Sequence, residues 1–210
     1  MIAKAPVAGR AKTRLCPPLS PAEAAELAEA ALCDTLEAVL MTRAARRVLV
    51  LEGAAGDWLP PGLEVIPQRP VGFAERLAGA FEDIGEPAFL IGMDTPQLTP
   101  AMLGSALEAL GAPATDAVLG LCEDGGFWGI GLRSADTRVF AGVPMSTERT
   151  GERQRLRLEQ LGLRTRALPV LRDVDCHADA LAVAEQAPAS RFAHALSRAQ
   201  GCSRNAREAA

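Results

Sequence analysis

The 210-residue chain contains only two histidines, His177 and His194, so a histidine-rich metal centre is excluded. Its five cysteines are Cys16, Cys33, Cys122, Cys176 and Cys202. They are odd in number, scattered, and include no CxxC pair. That pattern rules out a thiolate zinc site or a disulfide framework and reads as reduced thiols in a cytoplasmic protein. No apolar run approaches the length of a bilayer span. The basic N-terminus is not followed by the apolar stretch of a secretory signal. The net charge of −4 argues against nucleic acid bound by bulk attraction. Any anionic ligand must therefore be held by a local cluster of basic residues.

The chain shows no internal repeat and no low-complexity segment. Its length suits one α/β domain, here residues 1–199, and the polar tail at 200–210 is expected to fray. Ser20, Pro21 and Glu23 form the capping box of a helix, and apolar residues at helical spacing run from Ala24 to Leu40. Short β-branched or apolar runs at Val48–Leu51, Leu63–Ile66, Ala88–Met93, Ala117–Leu121 and Phe127–Leu132 read as strands. An edge strand is expected within Thr165–Val170. Helices are expected over Phe73–Ile84, from Thr99 to Leu110, near residues 153–161, over Ala178–Gln186 and near 189–199. Alternating strands and helices imply a mostly parallel sheet covered on both faces, with ligands bound outside the carboxyl ends of its strands.

Four segments carry chemistry. Lys4 to Leu15 is a glycine-containing basic loop between a strand and a helix. It lacks the Gly-Lys-Ser/Thr triplet of a Walker A loop, yet Arg10, Lys12 and Arg14 can neutralise a diphosphate and Gly9 frees the backbone. Asp94 ends an apolar strand, where it can hold Mg²⁺ or Mn²⁺ or, alternatively, cap a turn before Pro96. Glu123-Asp124-Gly125-Gly126 joins two strands and runs into Phe127 and Trp128. This is also what a hairpin turn looks like. The two aromatics alternate along a strand, so they should not both lie in one apolar cluster. Asp173-Val174-Asp175 precedes a helix that Asp179 can cap.

Together the four segments resemble the nucleotide-diphospho-sugar-transferase superfamily. More closely, they resemble a bacterial family designated a domain of unknown function and often called glycosyltransferase-like. That family runs as K-A-P-x-x-G-R-x-K-T-R-L, G-x-D-x-P, E-D-G-G with aromatics, and D-V-D-T. The counterparts here are Lys4–Leu15, Gly92–Pro96, Glu123–Trp128 and Asp173–Cys176. The first segment is also similar to the basic loop of phospholactate guanylyltransferases. The resemblance implies a GT-A-like three-layer α/β/α sandwich with a mixed, mostly parallel sheet. It implies that Asp94 and Asp175 hold Mg²⁺ or Mn²⁺, and that Lys4, Gly9, Arg10, Lys12 and Arg14 hold nucleotide phosphates. It also implies a longer first strand than Met1–Ala3 supply, so a clipped or misassigned start is expected. Leu121 and Cys122 stand where the family has Pro-Ala, and Cys176 where it has Thr.

The implied activity is transfer of a sugar from a nucleotide sugar to a small-molecule acceptor, with Asp124 or Glu123 as general base. The alternative is nucleotidyl transfer, in which a phosphorylated substrate attacks an NTP and pyrophosphate leaves. The nucleophile is then already ionised and needs no base. A third reading is a nucleotide-binding regulator without turnover.

Overall fold

The structure, a computed structural model, describes residues 1–85 and 87–208, with side chains as far as Gly201. Cys202 thus lies outside the described side chains. Strands β1 (Ile2–Lys4), β2 (Val48–Glu52) and β3 (Glu64–Pro67) pair in parallel, in the order β1-β2-β3. Strands β4 (Ala88–Ile91), β5 (Ala117–Leu121), β6 (Phe127–Leu132) and β7 (Thr165–Ala167) form a second ladder in the order β4-β6-β5-β7. Here β6 runs antiparallel to both β4 and β5, whereas β5 and β7 are parallel.

The helices are α1 (Pro21–Met41), α2 (Phe73–Ile84), α3 (Pro100–Gly111), α4 (Thr150–Gln160), α5 (His177–Gln186) and α6 (Arg191–Glu208). Each α1 cap is supplied locally. Ser20 and Glu23 form the reciprocal box at its start. At its end Arg47 reaches back to the carbonyls of Val39 and Thr42, satisfying acceptors that the helix leaves free. Helix α6 passes through Gln200, where the sequence predicts a frayed tail; Ala209 and Ala210 lie outside the described residues.

The two ladders share both faces. Ile2, Val48 and Val50 pack with Leu90, Leu119 and Ile130 beneath α2, in a cluster that also takes Leu158 of α4. Ala3, Leu49 and Leu51 pack with Ile91 and Trp128 beneath α1 and α3. Alternate residues of each strand thus go to opposite layers, as a strand period of two requires. This is the expected three-layer α/β/α sandwich with a mixed sheet. Helix α6 adds a further packing against α1 and α5 through Phe192, Leu196 and Val183.

The alternation breaks at one place. Gly120 pairs with Gly129 but Leu121 pairs with Phe127, so Trp128 is an extra residue, a β-bulge. The bulge turns Trp128 into the α1/α3 layer, where it meets Phe89 edge-on at 5.7 Å and donates to Pro169 O at 3.0 Å. Phe127 goes to the opposite layer, half-buried. The two aromatics part, as their positions require.

One carboxylate adds to the backbone ladder that holds β7 to β5. Asp116 accepts from the backbone N–H of Arg164 at 2.9 Å and from its guanidinium at 2.7 and 2.8 Å. These bonds, the side-chain ones first, hold the Asp116 carboxyl well below the usual aspartate range. A depressed folded-state pKa adds stability that is present above the unfolded value, near 3.9, and is lost as pH falls further. Asp116→Asn should therefore melt at a lower temperature than wild type at pH 7. Thermal melts over a pH series should show that gap closing below about pH 4.

Candidate functional site

The carboxyl ends of β1, β4 and β5 and the amino end of the antiparallel β6 open into a cleft of about 1790 Å³. This exceeds the roughly 300–1,000 Å³ typical of pockets for drug-sized ligands. Lys4, Arg10, Arg14, Asp94, Glu123, Asp124 and Asp175 all line it. Lys12 stands at its edge beside Asp94. Gly9 does not line it; its φ of +72° serves the turn, and the space around its missing Cβ is open.

The basic loop is shaped by its own backbone. Val7 O accepts from the N–H groups of Arg10 and Ala11, closing a tight turn. Lys12 then adopts a left-handed conformation, φ 50° and ψ 38°, which is strained for a residue with a Cβ. That backbone turns the Lys12 side chain inward. The side chain is 11% exposed, and its ammonium lies 2.6 Å from Asp94 Oδ1 and also donates to Val174 O. The sequence reads Lys12 as a free phosphate ligand; the structure gives it intramolecular partners as well. Arg14 pairs with Asp175. Lys4 pairs with Glu52 at 3.4 Å. Arg10 has no charged partner among the described residues.

Asp94 follows β4, and its carbonyl accepts from Val174 N at 2.9 Å, so the 173–175 segment is stitched to the end of β4. The turn after β5 is closed by Cys122 N on Gly126 O and by Asp124 Oδ1 accepting from Gly126 N at 2.7 Å. Glu123 is spent elsewhere: Arg172 Nε donates to it at 2.8 Å. Of the two proposed bases, only Asp124 keeps its carboxylate toward the cleft's acidic cluster.

That cluster differs from the pair inferred from the sequence. Ligand-capable atoms of Cys122, Asp124 and Asp173 lie within 4.8 Å of one another. Asp173 is pushed up to about 6, first by burial, then by the Asp124 carboxylate, with Asp94 adding to it. Burial likewise pushes the Cys122 thiol up, with Asp173 and Asp124 contributing. Asp124 and Asp173 thus face each other, with Asp94 in the same cleft and paired with Lys12, while Asp175 is turned to Arg14. Asp173 was visible in the sequence as half of Asp-Val-Asp. Its inward orientation follows from Val174, whose side chain is 1% exposed and packs in the α1/α5/α6 core.

Like carboxylates gathered in a partly buried site repel unless a proton or cation lies between them. Their hard oxygen ligands fit Mg²⁺ or Mn²⁺. Thr95, beside Asp94, is 1% exposed and lines the cleft, and its Oγ1 has no hydrogen-bond partner among the described residues. A buried hydroxyl without a partner is costly and suits a ligand that supplies one. The wall formed by Pro144 to Arg153 was not read as part of the site from sequence. Its signal was faint, because it lies in a polar segment with weak periodicity.

A structure from Desulfovibrio desulfuricans G20, provisionally named a nucleotide-diphospho-sugar transferase, matches with a TM-score of 0.84. The identity is 24%, over 97% of this chain and 96% of the other. A CMP:2-keto-3-deoxy-manno-octonic acid synthetase complexed with CTP matches with a TM-score of 0.53 at 14% identity, over 88% and 98% of the two chains. The Mycobacterium sp. strain JC1 homologue of Mycobacterium tuberculosis Rv0371c matches with a TM-score of 0.52 at 17% identity, over 89% and 97%. At these identities the likeness is one of fold, that of nucleotide-diphospho-sugar transferases. No curated protein matches the chain. The model of the family described as "Uncharacterized protein conserved in bacteria (DUF2064)" matches residues 26–147, more than half of the sequence, and the chain belongs to that family.

Proposed function

We propose that the protein is a metal-dependent transferase that takes a nucleotide-activated donor, transferring a sugar from a nucleotide sugar to a small acceptor. The observation that carries this reading is the convergence of Asp94, Asp124 and Asp173 beside the basic loop, in one cleft. Asp124 and Asp173, with Asp94 alongside, would hold Mg²⁺ or Mn²⁺. A bound cation there would neutralise negative charge developing on a leaving diphosphate. Arg10 and Arg14 would hold the phosphates, and Lys12, anchored on Asp94, would fix the loop. Asp124 would accept the acceptor's proton in the sugar-transfer reading.

A second reading, nucleotidyl transfer, is favoured by the state of the two proposed bases. Glu123 is locked onto Arg172, and Asp124 is turned toward Asp173 and Cys122. A phosphorylated substrate would need neither as a base. Incubation with nucleotide sugars and NTPs plus Mn²⁺ separates the readings: nucleoside diphosphate is expected from the first, pyrophosphate from the second. Neither binding nor turnover of any nucleotide donor would overturn both.

Three variants test the parts. Asp173→Asn removes a carboxylate whose burial opposes its charge. The metal-free variant should be more stable by about 1 kcal/mol, with solvent screening allowed for, or about 2–4 °C in Tm. The Tm increase that Mn²⁺ gives wild type should be lost in the same melts. Arg10→Ala removes a cation with no charged partner among the described residues. It should weaken nucleoside diphosphate binding by about tenfold or more in calorimetric titration, at unchanged Tm. Thr95→Val removes the orphan hydroxyl while keeping its volume. The ligand-free protein should melt no lower than wild type, while nucleotide or nucleotide-sugar affinity falls about fivefold or more. A lower Tm with intact affinity would mean that the hydroxyl serves the fold.

A further inference from the structure

We propose that the acceptor carries a phosphomonoester, bound by Arg149 and Arg153 on the wall of the cleft beyond the carboxylates. This rests on the transferase reading and names the acceptor class for it.

The wall is a rigid piece of backbone. Thr150 Oγ1 donates to Pro144 O at 2.9 Å, Thr147 N donates to Thr150 Oγ1 at 3.0 Å, and Arg149 N donates to Thr147 Oγ1 at 3.3 Å. Ser146 is held at φ 58°, a left-handed conformation that a residue with a Cβ adopts at a cost. The segment is then clamped to the acidic turn. Gly151 N donates to Gly125 O at 2.8 Å, and a Cβ on Gly151 would lie 2.5 Å from Gly126 O. Gly125, at φ +90°, leaves no room for a Cβ, which would run into Glu148 O.

This platform presents two guanidinium groups, one without a charged partner among the described residues and one with a single exposed contact. Arg153 has no charged partner among the described residues. Arg149 has one exposed contact, 3.5 Å to Glu152. Neighbouring arginines are committed: Arg138 to Asp136, Arg155 to Glu159, Arg157 to Arg138 O, and Arg172 to Glu123. Arg153 N donates to Arg149 O, so the two residues are one turn apart on one face, where like charges repel. Both line the cleft. An anion between them relieves that repulsion. A neutral sugar hydroxyl would not need two guanidinium groups, and a carboxylate has only two oxygens to share between two planar forks. A phosphomonoester has three.

The carboxylates stand between this wall and the basic loop. Asp94 contacts Lys12 of the loop, Asp124 belongs to the turn that the wall clamps, and Asp173 feels both. The cleft therefore has two basic edges, one for the donor's phosphates and one for the acceptor's.

The test is calorimetric titration of inorganic phosphate into protein saturated with nucleoside diphosphate and Mg²⁺, with acetate in a parallel arm. Saturable phosphate binding is expected. It should weaken at least tenfold in Arg149→Gln and in Arg153→Gln, at unchanged Tm and unchanged nucleoside diphosphate affinity, and persist in Arg10→Gln. Phosphate binding that both wall variants retain would overturn the proposal. So would phosphate and nucleoside diphosphate displacing each other, which would mean a single anion site. Acetate binding as well as phosphate would overturn the phosphomonoester assignment. Failure of any nucleotide to bind would strike the transferase reading alone, because phosphate titrated into nucleotide-free protein still reads the wall.

Discussion

One ammonium group ties three separate parts of the chain together at the mouth of the cleft. Lys12 leaves the loop after β1, meets Asp94 at the end of β4, and donates to Val174 in the segment before α5. Taking a lysine to 11% exposure is unfavourable unless its charge is paired and its donors are used. Here both conditions hold, so the loop must sit where those partners are. The left-handed backbone at Lys12 serves that placement. Arg14 to Asp175 repeats the connection further out, where solvent weakens it. The basic loop is thus positioned by a carboxylate, Asp94, that also lines the cleft.

The same acidic centre works against the stability of the ligand-free fold. Asp173 is raised by burial and by two neighbouring carboxylates, and Thr95 holds a hydroxyl with nothing to bond. A chain selected only for stability would replace both with apolar groups of the same size. Their presence in segments that are otherwise well satisfied locates the strain at the site. This is where such costs are expected when a ligand relieves them.

Much of the framework was legible because it depends on local rules. The α1 capping box, Pro100 at the first position of α3, and the apolar runs of β2, β4, β5 and β6 act within a few residues. The basic loop and Asp94 were legible because the residues gathered there have few other uses. The contact of Asp173 with Asp124 was not. Asp173 and Asp175 flank Val174, and the side of the chain facing the cleft is decided by where Val174 is buried, among residues from α1, α5 and α6. Glu123 was indistinguishable from Asp124 until Arg172, 49 residues away, claimed it. The bulge at Trp128 also escaped a period-two reading, since it depends on a register between two strands.

The glycines of the acidic turn connect these observations. Asp-Gly after a strand is an ordinary hairpin signal, and a hairpin needs Gly125 only for its positive φ. The structure adds a second demand. Glu148 O sits where a Cβ would be, and Gly151 makes the reciprocal close approach to Gly126 O. Two backbones in contact without intervening side chains move as one body. The turn that carries Asp124 is therefore packed directly against the segment that carries Arg149 and Arg153. Whatever binds the arginine wall is held in register with the carboxylates, a positioning that chemistry between two bound substrates requires. The glycines thus serve the contact between the acidic turn and the arginine wall as well as the bend of the chain.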